Sequence, residues 1–225
     1  MPLPVTSPTT RSTPGSSPLS LRIGFWICIV IAVAVVIRRV IALAYPPNPA
    51  SAPPGMAGLD LVFASHTALT LAHILPALAF VLITPFAIFR KSLAPSWAEK
   101  LLYPLGLVTG LTAYAMAADA VGGWIERSAV LLFDTVFLVS LLRAWLFRRS
   151  GNPIQARRWL LRAIIVLLGI ATTRPVMGVF FATSRITHLT SSQFFGIAFW
   201  IGFSINAIII ELWLHSRYWK QKSIA

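Results

Sequence analysis

Negative charge is what this sequence has least of: six Asp and Glu among 225 residues, against 19 Lys and Arg. Charge of either sign is sparse. It makes up 11% of the chain, well below the roughly 25% of soluble domains. Cys28 is the lone cysteine, so no intrachain disulfide can form and cysteine usage does not reveal a compartment. No glycine-rich phosphate loop, nucleophile elbow or H-E-x-x-H pair occurs, so none of the chemistries with those signatures is written in the chain. What the sequence does have is apolar length. Hydrophobic residues make up 57%, and the mean hydropathy is +0.78. The formal charge is nevertheless +13. Its basic residues lie between long apolar runs, which fits loops of a polytopic membrane protein and excludes a nucleic-acid surface.

Residues 1–20 are rich in Pro, Ser and Thr with a single charge, and are expected to form a disordered tail. The expected fold is all-α, a transmembrane bundle over residues 21–215 followed by a basic tail at 216–225. Six spans are predicted, at about 21–45, 64–89, 101–124, 128–147, 159–183 and 193–214. The first is completed only if Arg38 and Arg39 snorkel outward. Those arginines sit between the apolar run and a small-residue Ala42–Ala44 site, the wrong order for a signal peptide, so a retained anchor is expected. The Pro-rich connection at 46–60 is expected to be extended over the membrane surface. Counting Lys and Arg beside the spans puts twelve on one side. Only Arg38, Arg39, Arg127 and Arg185 fall on the other. By the positive-inside rule both termini are cytoplasmic, in a multi-pass protein of the cell inner membrane.

Ionisable residues within such spans are costly and point to a site. Counting a helical rise of about 1.5 Å per residue, His73, Asp134 and Arg174 fall about 10–15 Å below the outer surface. Asp119 lies nearer that surface. The cheapest arrangement turns these side chains inward and bonds Arg174 to Asp134 or Asp119. Pro175 and Pro76 each remove a helix hydrogen bond close by, so kinks are expected there. A second set, Arg143, Arg162, Glu211 and His215, sits at the cytoplasmic end. A structural Arg162–Glu211 bond would tie the fifth span to the sixth, and Asn206 needs a partner near mid-membrane. The balance between a ligand or proton site and an ion pair that locks packing stays open for the outer set; the inner set reads as structural.

His66 and His73 are seven residues apart, two turns on one helical face. A bis-histidine haem needs ligands from opposite sides of the ring, so haem is disfavoured. A zinc site would have to draw on Asp119 or Asp134. No metal and no cofactor is predicted. Gly106, Gly110, Ala113 and Ala117 form a small-residue stripe that could receive a membrane partner or a second copy. Six of the eight tryptophans fall near predicted span ends, as an interfacial belt would.

Several of these positions, taken in order, resemble a bacterial family of polytopic membrane proteins, domain of unknown function 2306. Its histidine–isoleucine pair corresponds to His73-Ile74, and the Gly-Pro later in that helix to Thr84-Pro85. Its glycine pair matches Gly122-Gly123. Its basic-Trp-Met-x-Arg stretch matches ARRWLLRA from Ala156 to Ala163, and its later arginine matches Arg174. The family's Asn followed by Glu falls on Asn206 and Glu211. The likeness runs from residue 61 to about 215. Trp97-Ala98 and Ala156 stand where the family has histidines. The resemblance brings no activity with it. Three function classes follow: a transporter-like or sensor component handling a small ligand or protons, a haem or quinone oxidoreductase component, and a structural or assembly protein. The first is favoured over an enzyme.

Overall fold

The computed structural model describes residues 19–45, 56–89, 92 and 96–222. The amino-terminal tail expected to be disordered lies outside these residues, apart from its last two, which begin a helix. The described chain is helical without strands. In order come α1 (Leu19–Ala44), α2 (Met56–Ser65), α3 (Thr67–Ile88), α4 (Trp97–Met116), α5 (Gly123–Arg149), α6 (Pro153–Leu167), α7 (Gly169–Thr187) and α8 (Ser191–Lys222). A single 3-10 turn, Ala117–Asp119, ends α4.

Six segments are long and apolar enough to cross a bilayer, with α6 and α7 together forming the fifth. Six alternating spans bring the start of α1 and the end of α8 to one face of the bundle, called the terminal face below. The opposite, distal face carries α2, the 3-10 turn and the α7–α8 turn. Large apolar side chains such as Val30, Leu111, Leu142 and Ile208 are exposed on the bundle's outside, as lipid contact requires.

Local chemistry sets the helix ends. Ser96 Oγ accepts from Glu99 N–H at 3.1 Å, which caps α4 and places an acid in its first turn. Asn152 Oδ1 does the same for Gln155 N–H at 3.1 Å, with Pro153 as the first residue of α6. Gly151, at φ 74°, makes the left-handed step between α5 and α6.

Helices pack as neighbouring hairpins, α3 with α4, α5 with α6 and α7 with α8. Glycines permit the closest approaches. A Cβ on Gly202 of α8 would lie 2.6 Å from the Thr173 backbone nitrogen of α7. The core below the distal half is dense, with Phe80, Leu102, Phe137, Ala163 and Ile164 almost completely buried.

Four expectations need correction. First, the 46–60 connection is not extended throughout, since α2 begins at Met56. Second, the tail at 216–225 continues α8 as far as Lys222.

Third, the fifth span, expected as one continuous helix, is interrupted at Leu168, with Pro175 seven residues further on inside α7. At the break Ala171 N–H turns to Leu168 O at 2.9 Å, a tightened i−3 bond. Asn206 of α8 bridges the gap. Its amide donates to Ile165 O at 2.9 Å, and its Oδ1 accepts from Thr172 Oγ1 at 2.7 Å. Mid-membrane, these bonds satisfy groups that lipid cannot.

Fourth, the small-residue stripe of α4 is used within the chain. A Cβ on Gly106 would strike Leu141 at 2.7 Å, and one on Gly110 would strike Leu138 at 2.5 Å. Ala113 and Ala117 face the bundle interior, so the stripe receives α5 rather than a partner.

Candidate functional site

The distal half of the bundle encloses a cavity of about 340 Å³. α2 and the 3-10 turn contribute Asp60, Phe63, Ala117 and Asp119 to its lining, and Phe137, Val166 and Leu167 line it within the spans. His73, Asp134, Arg174 and Asp119, the four residues singled out by depth alone, all line it. Four of the six acids of the whole chain do so: Asp60, Asp119, Glu126 and Asp134. Arg38 and Arg39 join them from α1.

The mouth is built of paired charges. Asp60, on α2, is buried and takes both arginines of α1: Arg38 Nη2 at 3.0 Å and Arg39 Nη1 at 2.6 Å. Arg39 also lies over the Phe63 ring, 3.9 Å from its centroid. The two arginines therefore fold back onto α2 instead of snorkelling away. On the other rim His66 Nε2 stands 3.6 Å from Asp119 Oδ2, with both side chains about half exposed. His66 caps the start of α3 rather than lying within it.

Further in, His73 bridges α3 and α4. Its Nδ1 is 3.1 Å from Thr109 O and 3.0 Å from Thr112 Oγ1. A carbonyl only accepts, so the bond to Thr109 puts a proton on Nδ1. Glu126, in the first turn of α5, accepts from Gly122 N–H at 2.6 Å through Oε2. Gly122 lies close against α8, where a Cβ on it would fall 2.7 Å from the Gly196 backbone nitrogen.

Two polar side chains in the deep part are left over. Asp134 Oδ2 is buried with no hydrogen-bond partner. Arg174 donates through Nη1 to the Met177 sulfur at 3.6 Å, and its Nε is buried without a partner. The expected bond from Arg174 to Asp134 or Asp119 does not form. Asp119 turns to His66 instead, and the charges acting on Arg174 are those of Arg39, Arg38 and Glu126. Matching depth did not bring Arg174 and Asp134 into hydrogen-bond contact.

The remaining lining is mostly aliphatic, with a group of phenylalanines among it. Phe133 stacks on Phe203 with centroids 5.4 Å apart, and Phe195 stacks on Phe199 at 5.3 Å. No cluster of three metal-ligating side chains occurs among the described residues.

Away from the cavity, the Arg162–Glu211 bond expected at the other end is present, Nε to Oε1 at 2.5 Å, and ties α6 to α8. It is partly solvent-exposed and structural in character. Arg143 and Arg162 both lie over the Trp159 ring, at 5.3 and 4.4 Å.

Sequence reasoning missed Asp60, the Arg38–Arg39 pair and Glu126 as parts of this site. Each carried a usable signal. Asp60 is the one acid between the arginine pair and Glu99, and Glu126 opens a helix directly after a glycine pair. Compared with family models, curated proteins and solved structures, the chain matches none.

Proposed function

We propose that this protein is a membrane-embedded binding component, transporter-like or sensory, that takes a small solute from the distal face into the charged cavity between its helices. One observation carries the reading. Three arginines, four acids and a histidine converge on a single cavity in the apolar part of the bundle, and the deepest of them, Arg174 and Asp134, keep unpartnered buried atoms. An ion pair that merely locked helices together would leave neither. The cavity size falls at the lower end of the roughly 300–1,000 Å³ usual for small-molecule sites.

The orientation that goes with this reading follows from the charge count. The arginine-rich terminal face lies in the cytoplasm and the cavity opens outward, in a bacterial inner membrane. Membership of the domain of unknown function 2306 family belongs to the same proposal and rests on the short matches between residues 61 and 215.

Cysteine accessibility tests the reading. In a Cys28→Ser background, Ala113→Cys, on the cavity wall, should react with a membrane-impermeant thiol reagent added on the distal side and not with reagent added on the terminal side. Ile208→Cys, on the lipid-facing surface, serves as the control. An Ala113→Cys that reacts from neither side, or only from the terminal side, removes the proposal.

A further inference from the structure

The hydrogen bonds around the cavity can be matched one by one, and the polar groups left without them specify a ligand. Asp60 is engaged by Arg38 and Arg39, Asp119 by His66, and Glu126, whose charge also attracts Arg174 without a hydrogen bond, by the Gly122 amide. His73 is held by Thr109 and Thr112. Arg174 and Asp134 are left, and they are not equivalent. A carboxyl group can take a proton and lose its charge, so Asp134 can sit neutral in an apolar wall. A guanidinium cannot release its proton, so the charge of Arg174 is permanent. Of its five N–H donors, one reaches a thioether sulfur, a weak acceptor, and Nε reaches nothing. A planar carboxylate with two acceptor oxygens is the group that matches this fork.

The surroundings of Arg174 define the rest of the molecule. Met177 lies one turn along α7, and Phe133, Phe199 and Phe203 line the same cavity. These faces offer ring stacking and apolar contact but little hydrogen bonding. Resting on the cavity reading above, we infer that the site takes an aromatic monocarboxylate, its carboxylate on Arg174 and its ring against Phe133, Phe199 and Phe203.

The test uses the full-length protein in lipid nanodiscs and four probes: phenylacetate, its neutral counterpart phenylacetamide, the cation phenethylamine, and acetate. Binding is read by calorimetry and by the shift in thermal unfolding temperature. Phenylacetate should bind at least tenfold tighter than phenylacetamide and than acetate, and phenethylamine should not bind. Arg174→Gln should abolish the preference for phenylacetate over phenylacetamide, and Arg174→Lys should keep part of it. Because Lys retains the charge and much of the length, it also guards against a Gln variant that fails to fold.

If phenylacetamide binds as well as phenylacetate, or if phenethylamine binds and Asp134→Asn removes it, the anion assignment is overturned while the cavity remains a solute site. Tight acetate binding would overturn the aromatic part. If no probe binds and Ala113→Cys is also inaccessible, both readings fall.

Discussion

The two halves of this bundle treat their few acids in opposite ways. In the terminal half Glu99 lies 2.5 Å from Arg148 and Glu211 lies 2.5 Å from Arg162, one arginine to each acid. In the distal half four acids, three arginines and a histidine share one cavity, and two of them are left over. The terminal arrangement is what helix packing asks for: neighbouring spans joined by charge pairs, the Glu99–Arg148 pair buried and the Arg162–Glu211 pair partly in water. Helix packing does not ask for the distal arrangement. Buried polar atoms that stay unpartnered cost stability, and they persist where a structure serves something besides its own folding.

The largest effect expected from this contrast is at the cavity mouth. Asp60→Ala removes the carboxylate that holds Arg38 and Arg39, and Arg39 is only 14% exposed. Breaking a buried pair from one side costs about 3–5 kcal/mol, because the opposite charge stays behind. Unfolding in detergent–SDS mixtures should show a loss of that size. Asp60→Asn should be milder, since an amide oxygen still accepts from one arginine. A loss below about 1 kcal/mol for Asp60→Ala would mean that the mouth is wet enough to behave like a surface.

Arg174→Gln should act in the other direction. It removes a permanent charge that is hydrogen-bonded to no acid and feels only the more distant attraction of Glu126, so the unliganded protein should be unchanged or more stable by about 1 kcal/mol in the same assay. This outcome would mark Arg174 as a residue kept at the expense of stability. A loss of about 3 kcal/mol instead would identify it as a packing charge like those of the terminal half, and the contrast between the halves would disappear.

The spans were legible in the sequence because a bilayer demands about twenty apolar residues in a row, and no compact fold disguises such runs. Depth was legible too, since the helical rise is fixed. It placed His73, Asp134 and Arg174 in one layer, and it matched Arg162 to Glu211. Rotation about each helix axis was not legible. Whether Arg174 meets Asp134 depends on how α7 is turned, and that is set by Gly202 against Thr173 and by Asn206 across the break at Leu168. Asp60 was hidden by its setting, ten residues of short helix after a Pro-rich connection, too brief to register as an element beside the long spans. Glu126 was hidden because GGWIER has the composition of a loop. The left-handed Gly123, at φ 62°, starts a helix there.

The smallest effect belongs to Glu211→Gln. Glu211 is 56% exposed, and an ion pair with one partner in water contributes about 0–1 kcal/mol. Its loss is softened further because Arg162 keeps the Trp159 ring, 4.4 Å from its guanidinium carbon. The expected loss is therefore under about 0.5 kcal/mol, and raising the salt concentration should erase it. Arg162→Ala removes the ion pair and the ring contact together, and should cost more than Glu211→Gln by a margin that salt does not erase. If Glu211→Gln matched Asp60→Ala in cost, the Arg162–Glu211 pair would behave as buried charge despite its exposure. The two halves would then differ in the number of their acids and not in the kind of work those acids do.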